Sequence, residues 1–174
     1  MIGYVAFALF ALTVPAANWL IGNVGTCISN GPCLIPVGFG LEAPSGVLVV
    51  GAALVLRDIV HERLGALWAL AAIAVGAILS ALFAAPALVI ASVAAFALAE
   101  LADFAVYTPL RQRRLMLAVL LSGLVGAVID SAVFLWLAFG SLAFIEGQIV
   151  GKLWMTLIAA GLLLLVRRQA PSHV

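Results

Sequence analysis

The chain has 174 residues, of which 67% are hydrophobic and only 9% are charged, and its formal net charge is +1. A water-soluble domain would carry charged residues at about a quarter of its positions. The composition therefore excludes a soluble globular protein and indicates a membrane protein. The arginines stand in short clusters at the ends of apolar segments, which is typical of membrane topology and not of nucleic-acid binding.

Hydropathy predicts six membrane-spanning helices, each near the roughly 20 residues that a helix needs to cross the hydrocarbon core. We place these helices at 2–22, 45–63, 66–84, 87–107, 115–139 and 148–166, within one membrane domain covering 1–174. The predicted fold class is an all-α integral membrane protein. The first segment has no basic region before its apolar run, so we expect it to be retained and not cleaved as a signal peptide.

The stretch 23–44 is rich in Gly and Pro and is predicted to be a loop. Six spans put both termini on one side of the membrane, and all seven arginines fall on that side. The positive-inside rule makes that side the cytoplasm, so the loop faces outward. Cys27 and Cys33 enclose an Asn-Gly-Pro turn signal in this loop, and a disulfide between them is plausible in an oxidising compartment. Two cysteines without nearby histidines do not predict a zinc site.

Apart from the charged end of the second segment, four ionisable residues lie within the apolar runs of the predicted spans, where each costs about 2.5–3.5 kcal/mol at mid-helix unless it is compensated. They are Glu100 and Asp103 in the fourth segment, Asp130 in the fifth and Lys152 in the sixth. At about 1.5 Å per residue, Asp130 and Lys152 lie in the same outer half, which predicts an ion pair. Glu100 and Asp103 lie closer to the cytoplasm, within reach of Arg57 if the second and fourth helices are neighbours.

These groups have two interpretations, because buried charges either line a functional cavity or fix helix packing as structural ion pairs. At the end of the second segment, Arg57 and Asp58 lie close enough to the apolar run to pair within the bundle, whereas Glu62 also fits a solvated helix end. Asn18, near the far end of the first segment, fits a helix cap and a ligand contact equally well.

The order of four motifs resembles the queuosine precursor transporter family, also called the vitamin uptake transporter family. The motifs are APSGVLVVGAALVLRDIVHERLG, AFALAELADFAVYTPLRQRR, VGAVIDSAVFLWLAFG and GQIVGKLWMTLI. The resemblance implies a six-helix bundle similar to the substrate-binding components of energy-coupling-factor transporters. It also implies a bacterial inner-membrane location and uptake of deazapurine precursors of queuosine. Matched position by position, it points to a substrate site made of Asn18, Asp58, Glu100, Asp103, Asp130 and Lys152.

The chemistry of a deazaguanine agrees with these residues. The planar base carries amino and ring N–H donors on one edge, from which carboxylates can accept, and a carbonyl acceptor beside them. Gln148 or Lys152 can donate to that carbonyl or to the nitrile of a cyano derivative, so Gln148 joins the candidates, with Arg57 and Glu62 as supporting residues. Four aromatic residues could stack on the ring or simply pack: Phe96, Phe104, Phe134 and Trp154.

Sequence motifs of common enzymes and of ATPases are absent from the chain. The chain has no HExxH or GxSxG motif and no Cys paired with His, so neither an enzyme nor a metal or other cofactor is predicted. It has no GxxxxGK[ST] motif, so ATP-driven uptake would need a separate ATPase, while facilitated diffusion and proton coupling stay open. The alternatives are a substrate-binding subunit for another vitamin or nucleobase and a structural membrane subunit. The expected partners are the small-molecule substrate and the lipid bilayer, and a homodimer is an open alternative.

Overall fold

The computed structural model describes residues 2–29, 31–82, 84–111 and 115–169. Arg113 and Arg114, which are predicted to lie on the same side of the membrane as the other arginines, are outside the described residues. Within them the chain forms six helices, which confirms the predicted fold class. The helices are α1 (Ile2–Asn23), α2 (Val47–Leu64), α3 (Ala66–Ala81), α4 (Pro86–Arg111), α5 (Leu115–Phe139) and α6 (Ile145–Gln169).

Several helix ends differ from the predicted segments; for example, α3 ends at Ala81 and not at 84, and α6 continues to Gln169 and not only to 166. The fourth helix continues through Pro109 to Arg111, beyond the predicted 87–107. The sixth begins at Ile145, three residues before the predicted 148, and has Glu146 in its first turn. A carboxylate in the first turn interacts favourably with the positive end of the helix dipole, which explains the earlier start.

The helices have the length and surface of a membrane protein. In the described residues, three stretches are long and apolar enough to span a bilayer: Ile2–Asn23, Pro86–Leu110 and Leu121–Phe139. The third helix, Ala66–Ala81, is apolar but shorter. Large apolar side chains such as Ile78, Leu101 and Leu157 are exposed on the outside of the bundle. Such a surface is stable against lipid but unfavourable in water, so the chain is an integral membrane protein.

The segment 23–44, predicted to be a loop, contains a small antiparallel sheet that the sequence did not predict. Its strands are β1 (Thr26–Cys27), β2 (Cys33–Gly38) and β3 (Leu41–Pro44), in the order β1-β2-β3. Cys27 pairs with Cys33 in the β1–β2 register, and the two form a disulfide, as predicted. Gly38 and Gly40, both at positive φ, make the tight turn into β3, a conformation that glycine adopts without steric cost.

Glycines let the helices approach closely where α2 meets α6. A Cβ added at Gly151 would lie 2.7 Å from Val47 Cγ2, and one added at Gly51 would lie 2.8 Å from Met155 Cβ. Both distances are shorter than carbon atoms tolerate, so these positions require glycine at this spacing. Gly147, four residues before Gly151 in the same helix, packs in the same way against the backbone of Glu42 in β3.

The helices form two groups. In one, α1 packs against α2 and α3, and α2 packs against α6; in the other, α4 and α5 form a hairpin whose helices contact each other most extensively. The sheet lies at the end of the bundle where Ser45 Oγ donates to the carbonyl of Leu20, and we call this the sheet end. The opposite end, where Gly3 meets Leu64, is called the N-terminal end.

Candidate functional site

A cavity lies between the two groups of helices, in the half of the bundle nearer the sheet end. Its volume is about 70 Å³. All six helices contribute to its wall, and most of the wall is apolar. Its polar side chains are Thr13 and Asn18 from α1, Ser92 from α4, Asp130 from α5 and Gln148 from α6.

Asp130, which borders the cavity, forms the predicted ion pair with Lys152 behind it. Lys152 is only 1% exposed, and its Nζ donates to Asp130 Oδ2 and, over 2.7 Å, to Ser131 Oγ. These partners compensate the buried ammonium, which would otherwise be costly in an apolar interior. Asp130 itself faces the cavity, and because Lys152 binds Oδ2, Oδ1 can accept a hydrogen bond from a ligand.

Asn18 is tied to two other helices at the cavity wall. It lies inside α1, which ends only at Asn23, so the helix-cap alternative is wrong. The side chain is 4% exposed; its Nδ2 donates to Ser80 Oγ of α3, and Ser92 Oγ of α4 donates to its Oδ1 over 3.5 Å. Neither serine was predicted as a site residue. One signal in the sequence could have indicated them. A buried amide needs hydrogen-bonding partners, and the neighbouring helices α3 and α4 have few polar residues that can be those partners.

Two of the four candidate aromatic residues border the cavity. Phe96 of α4 and Phe134 of α5 are part of its wall. Trp154 serves another purpose, because its indole N–H donates to the carbonyl of Val37 over 2.9 Å and its ring stacks on Phe39. It therefore fastens β2 to α6. The side chain of Phe104 lies outside the part of the chain that the structure describes.

A second ion pair lies beyond the cavity toward the N-terminal end. Arg57 Nη1 pairs with Glu100, the ion pair expected from the sequence if the second and fourth helices are neighbours. Its guanidinium carbon lies 5.6 Å from the centre of the Phe96 ring, within the range of a cation–π interaction. Arg57 Nε is 3.1 Å from Asp58 Oδ1, but the geometry is not that of a hydrogen bond, and this buried nitrogen has no hydrogen-bond partner among the described residues.

The remaining candidates lie outside the cavity wall. Asp103 is half-buried and faces α5. A Cβ added at Gly126 of α5 would lie 3.7 Å from the Cβ of Asp103. The side chain of Asp58 is 68% exposed, and Glu62 is exposed at the end of α2. The structure thus brings Asn18, Asp130 and Gln148 together, with Lys152 behind them. Among the described residues, no group of three or more His, Cys, Asp or Glu side chains is placed to hold a metal ion.

A comparison with protein families gives one match. A family model described as "Putative vitamin uptake transporter" matches residues 80–167, which is half of the chain and includes Glu100, Asp130 and Lys152. No curated protein and no solved structure matches the chain significantly. Together with the apolar six-helix bundle, the family match makes this protein a membrane transporter and not an enzyme. The chain belongs to the vitamin uptake transporter family.

Proposed function

We propose that this transporter imports 7-deazaguanine bases, such as the cyano-deazaguanine precursor of queuosine, across the bacterial inner membrane. The observation that carries the proposal is the cavity, where Asn18, Asp130 and Gln148 present hydrogen-bonding groups beside the rings of Phe96 and Phe134. A planar heterocycle with polar edges and apolar faces is the kind of ligand that such a wall suits.

The donors and acceptors of the base have counterparts in this wall. Asp130 Oδ1 can accept from the amino group or the ring N–H, and the carboxamide of Gln148 can donate to the neighbouring carbonyl. Lys152 holds the carboxylate in place through Oδ2.

The orientation in the membrane follows from the arginines. Arg57 and Arg63 lie near the end of α2, and α4 ends at Arg111, all toward the N-terminal end of the bundle. By the positive-inside rule this end, where α1 begins and α6 ends, faces the cytoplasm. The sheet and its disulfide then face the oxidising side, and the cavity lies in the outer half of the membrane.

The energy source is a separate question that a purified system can answer. The chain has no GxxxxGK[ST] motif, so ATP-driven uptake would require a second protein. We propose that the chain alone suffices for facilitated uptake. Proteoliposomes that contain only this chain should then take up labelled cyano-deazaguanine until the inside and outside concentrations are equal, without ATP. Uptake that appears only with an added ATPase would contradict this.

The cellular test uses a host that cannot synthesise the queuosine precursors. The parent chain should restore tRNA queuosine when cyano- or aminomethyl-deazaguanine is supplied. Asp130→Ala, Lys152→Ala and Glu100→Ala should each reduce it at an equal amount of protein in the membrane, whereas Glu146→Gln, a change at an exposed residue outside the cavity, should not. If all three variants match the parent, the site assignment is wrong. If uptake falls only in proportion to the protein present, the residues have a structural role.

A further inference from the structure

We propose that the Arg57–Glu100 ion pair closes the cavity toward the N-terminal end of the bundle, and that the cavity opens there when the α4–α5 hairpin swings away from the other four helices. The inference rests on the proposed transport function. It concerns the path to the cytoplasm, and it can be measured without any substrate.

The position of the pair is the first argument. Ala53 of α2 and Phe96 of α4 belong to the cavity wall. Arg57 and Glu100 follow them by four residues each, which is one helical turn further along the same face of each helix. The ion pair therefore lies directly beyond the end of the cavity, between the two helices that border it.

The way the helices pack is the second argument. In the described part of the chain, α4 packs mainly against α5 and has only small contacts with α3 and α1, whereas α2 packs against α1, α6 and α3. The long side chains of Arg57 and Glu100 thus bridge two helices whose backbones do not pack closely together. Below the guanidinium, Phe96 lies 6.0 Å from Phe10 of α1, and these two rings fill the gap.

The relative strength of the two ion pairs indicates which end opens. Both pairs join the α4–α5 hairpin to the other helices: Arg57–Glu100 from α2 and Asp130–Lys152 from α6. The Arg57 and Glu100 side chains are 14% and 34% exposed, so this pair is only partly buried and costs less to separate than a fully buried pair. The Asp130–Lys152 pair is almost fully buried, so separating it would leave an uncompensated charge in the interior. The hairpin should therefore stay attached near Lys152 and open near Arg57.

The experiment uses one engineered thiol. Because both cysteines of the chain are in the disulfide, Ala53→Cys introduces the only free thiol, and it lies in the cavity wall. A charged, membrane-impermeant thiol reagent is added to sealed vesicles from the side of the N-terminal end or from the side of the sheet. In this background, Arg57→Gln and Glu100→Gln should each raise the labelling rate about fivefold from the N-terminal side, the change expected when an interaction at the upper end of the range for exposed ion pairs is lost.

Two further variants make the test specific. Arg63→Gln removes another arginine from α2, at an exposed position, and should leave the labelling rate unchanged. The charge-swapped double variant Arg57→Glu with Glu100→Arg should restore slow labelling, and it serves as the test if a single variant does not reach the membrane. An unchanged rate in both single variants, an equal rise from both sides, or fast labelling of the charge-swapped chain would overturn the proposal. A chain that shows the expected labelling and yet transports no deazaguanine would overturn only the proposed substrate.

Discussion

Removing the ammonium of Lys152, which is buried behind the cavity wall, should destabilise the fold strongly. In Lys152→Met the side chain keeps a similar length, but Asp130 loses its counter-ion and Ser131 loses a donor. Breaking a buried ion pair from one side typically costs about 3–5 kcal/mol. Because Asp130 borders the cavity, water can reach it in part, so we expect the lower end of that range, about 3 kcal/mol.

The assay is reversible unfolding in mixed micelles, in which the fraction of a denaturing detergent is increased. Lys152→Met should lose about 3 kcal/mol, whereas the double variant Asp130→Leu with Lys152→Met should recover at least half of that loss, because it leaves no unpaired charge. A loss below about 1 kcal/mol in the single variant, or a double variant as unstable as the two single variants combined, would refute this account of the ion pair.

Three further changes test other parts of the structure. Gly151→Val should destabilise the bundle by about 1–3 kcal/mol in the same unfolding assay, because the added carbons meet α2, whereas Gly123→Ala, in open space, should not. Cys27→Ser should cost about 2 kcal/mol by freeing a short closed loop, and it should speed proteolytic cleavage between β1 and β2 while the helices stay protected. Ser131→Ala should cost about 1.5 kcal/mol through the hydrogen bond lost to Lys152, and circular dichroism should show unchanged helix content.

The helices were predictable because their signals are local. Long apolar runs broken by Gly, Pro and charged residues define six segments, and the spacing of Gly147 and Gly151 indicates close helix packing. Lys152 and Asp130 were predictable as a pair because two isolated charges in one half of a membrane have few other ways to be compensated.

The small sheet could not be predicted in the same way. Its strands are two to six residues long, and they depend on the Cys27–Cys33 cross-link and on the packing of Trp154 against β2. The contact between Trp154 and Val37 joins residues far apart in the chain. The pattern of the segment, rich in Gly and Pro, is equally typical of an irregular loop.

The cavity itself also depends on long-range contacts. Asn18 was a candidate, but its bonds to Ser80 and Ser92 require α1, α3 and α4 to meet at one level, which helix periodicity does not specify. The exposed position of Asp58 has the same origin, because the rotation of α2 against its neighbours decides which side of the helix faces inward.

Equilibrium binding of labelled cyano-deazaguanine to the purified protein is the most direct test of the central claim, that the cavity beside Asp130 and Gln148 holds a deazaguanine. The account predicts saturable binding and a loss of about tenfold in affinity in Gln148→Leu. Unlabelled guanine should compete, whereas adenine, with the opposite arrangement of donors and acceptors on its edge, should not. Absent binding, equal competition by adenine, or unchanged affinity in Gln148→Leu would contradict the claim.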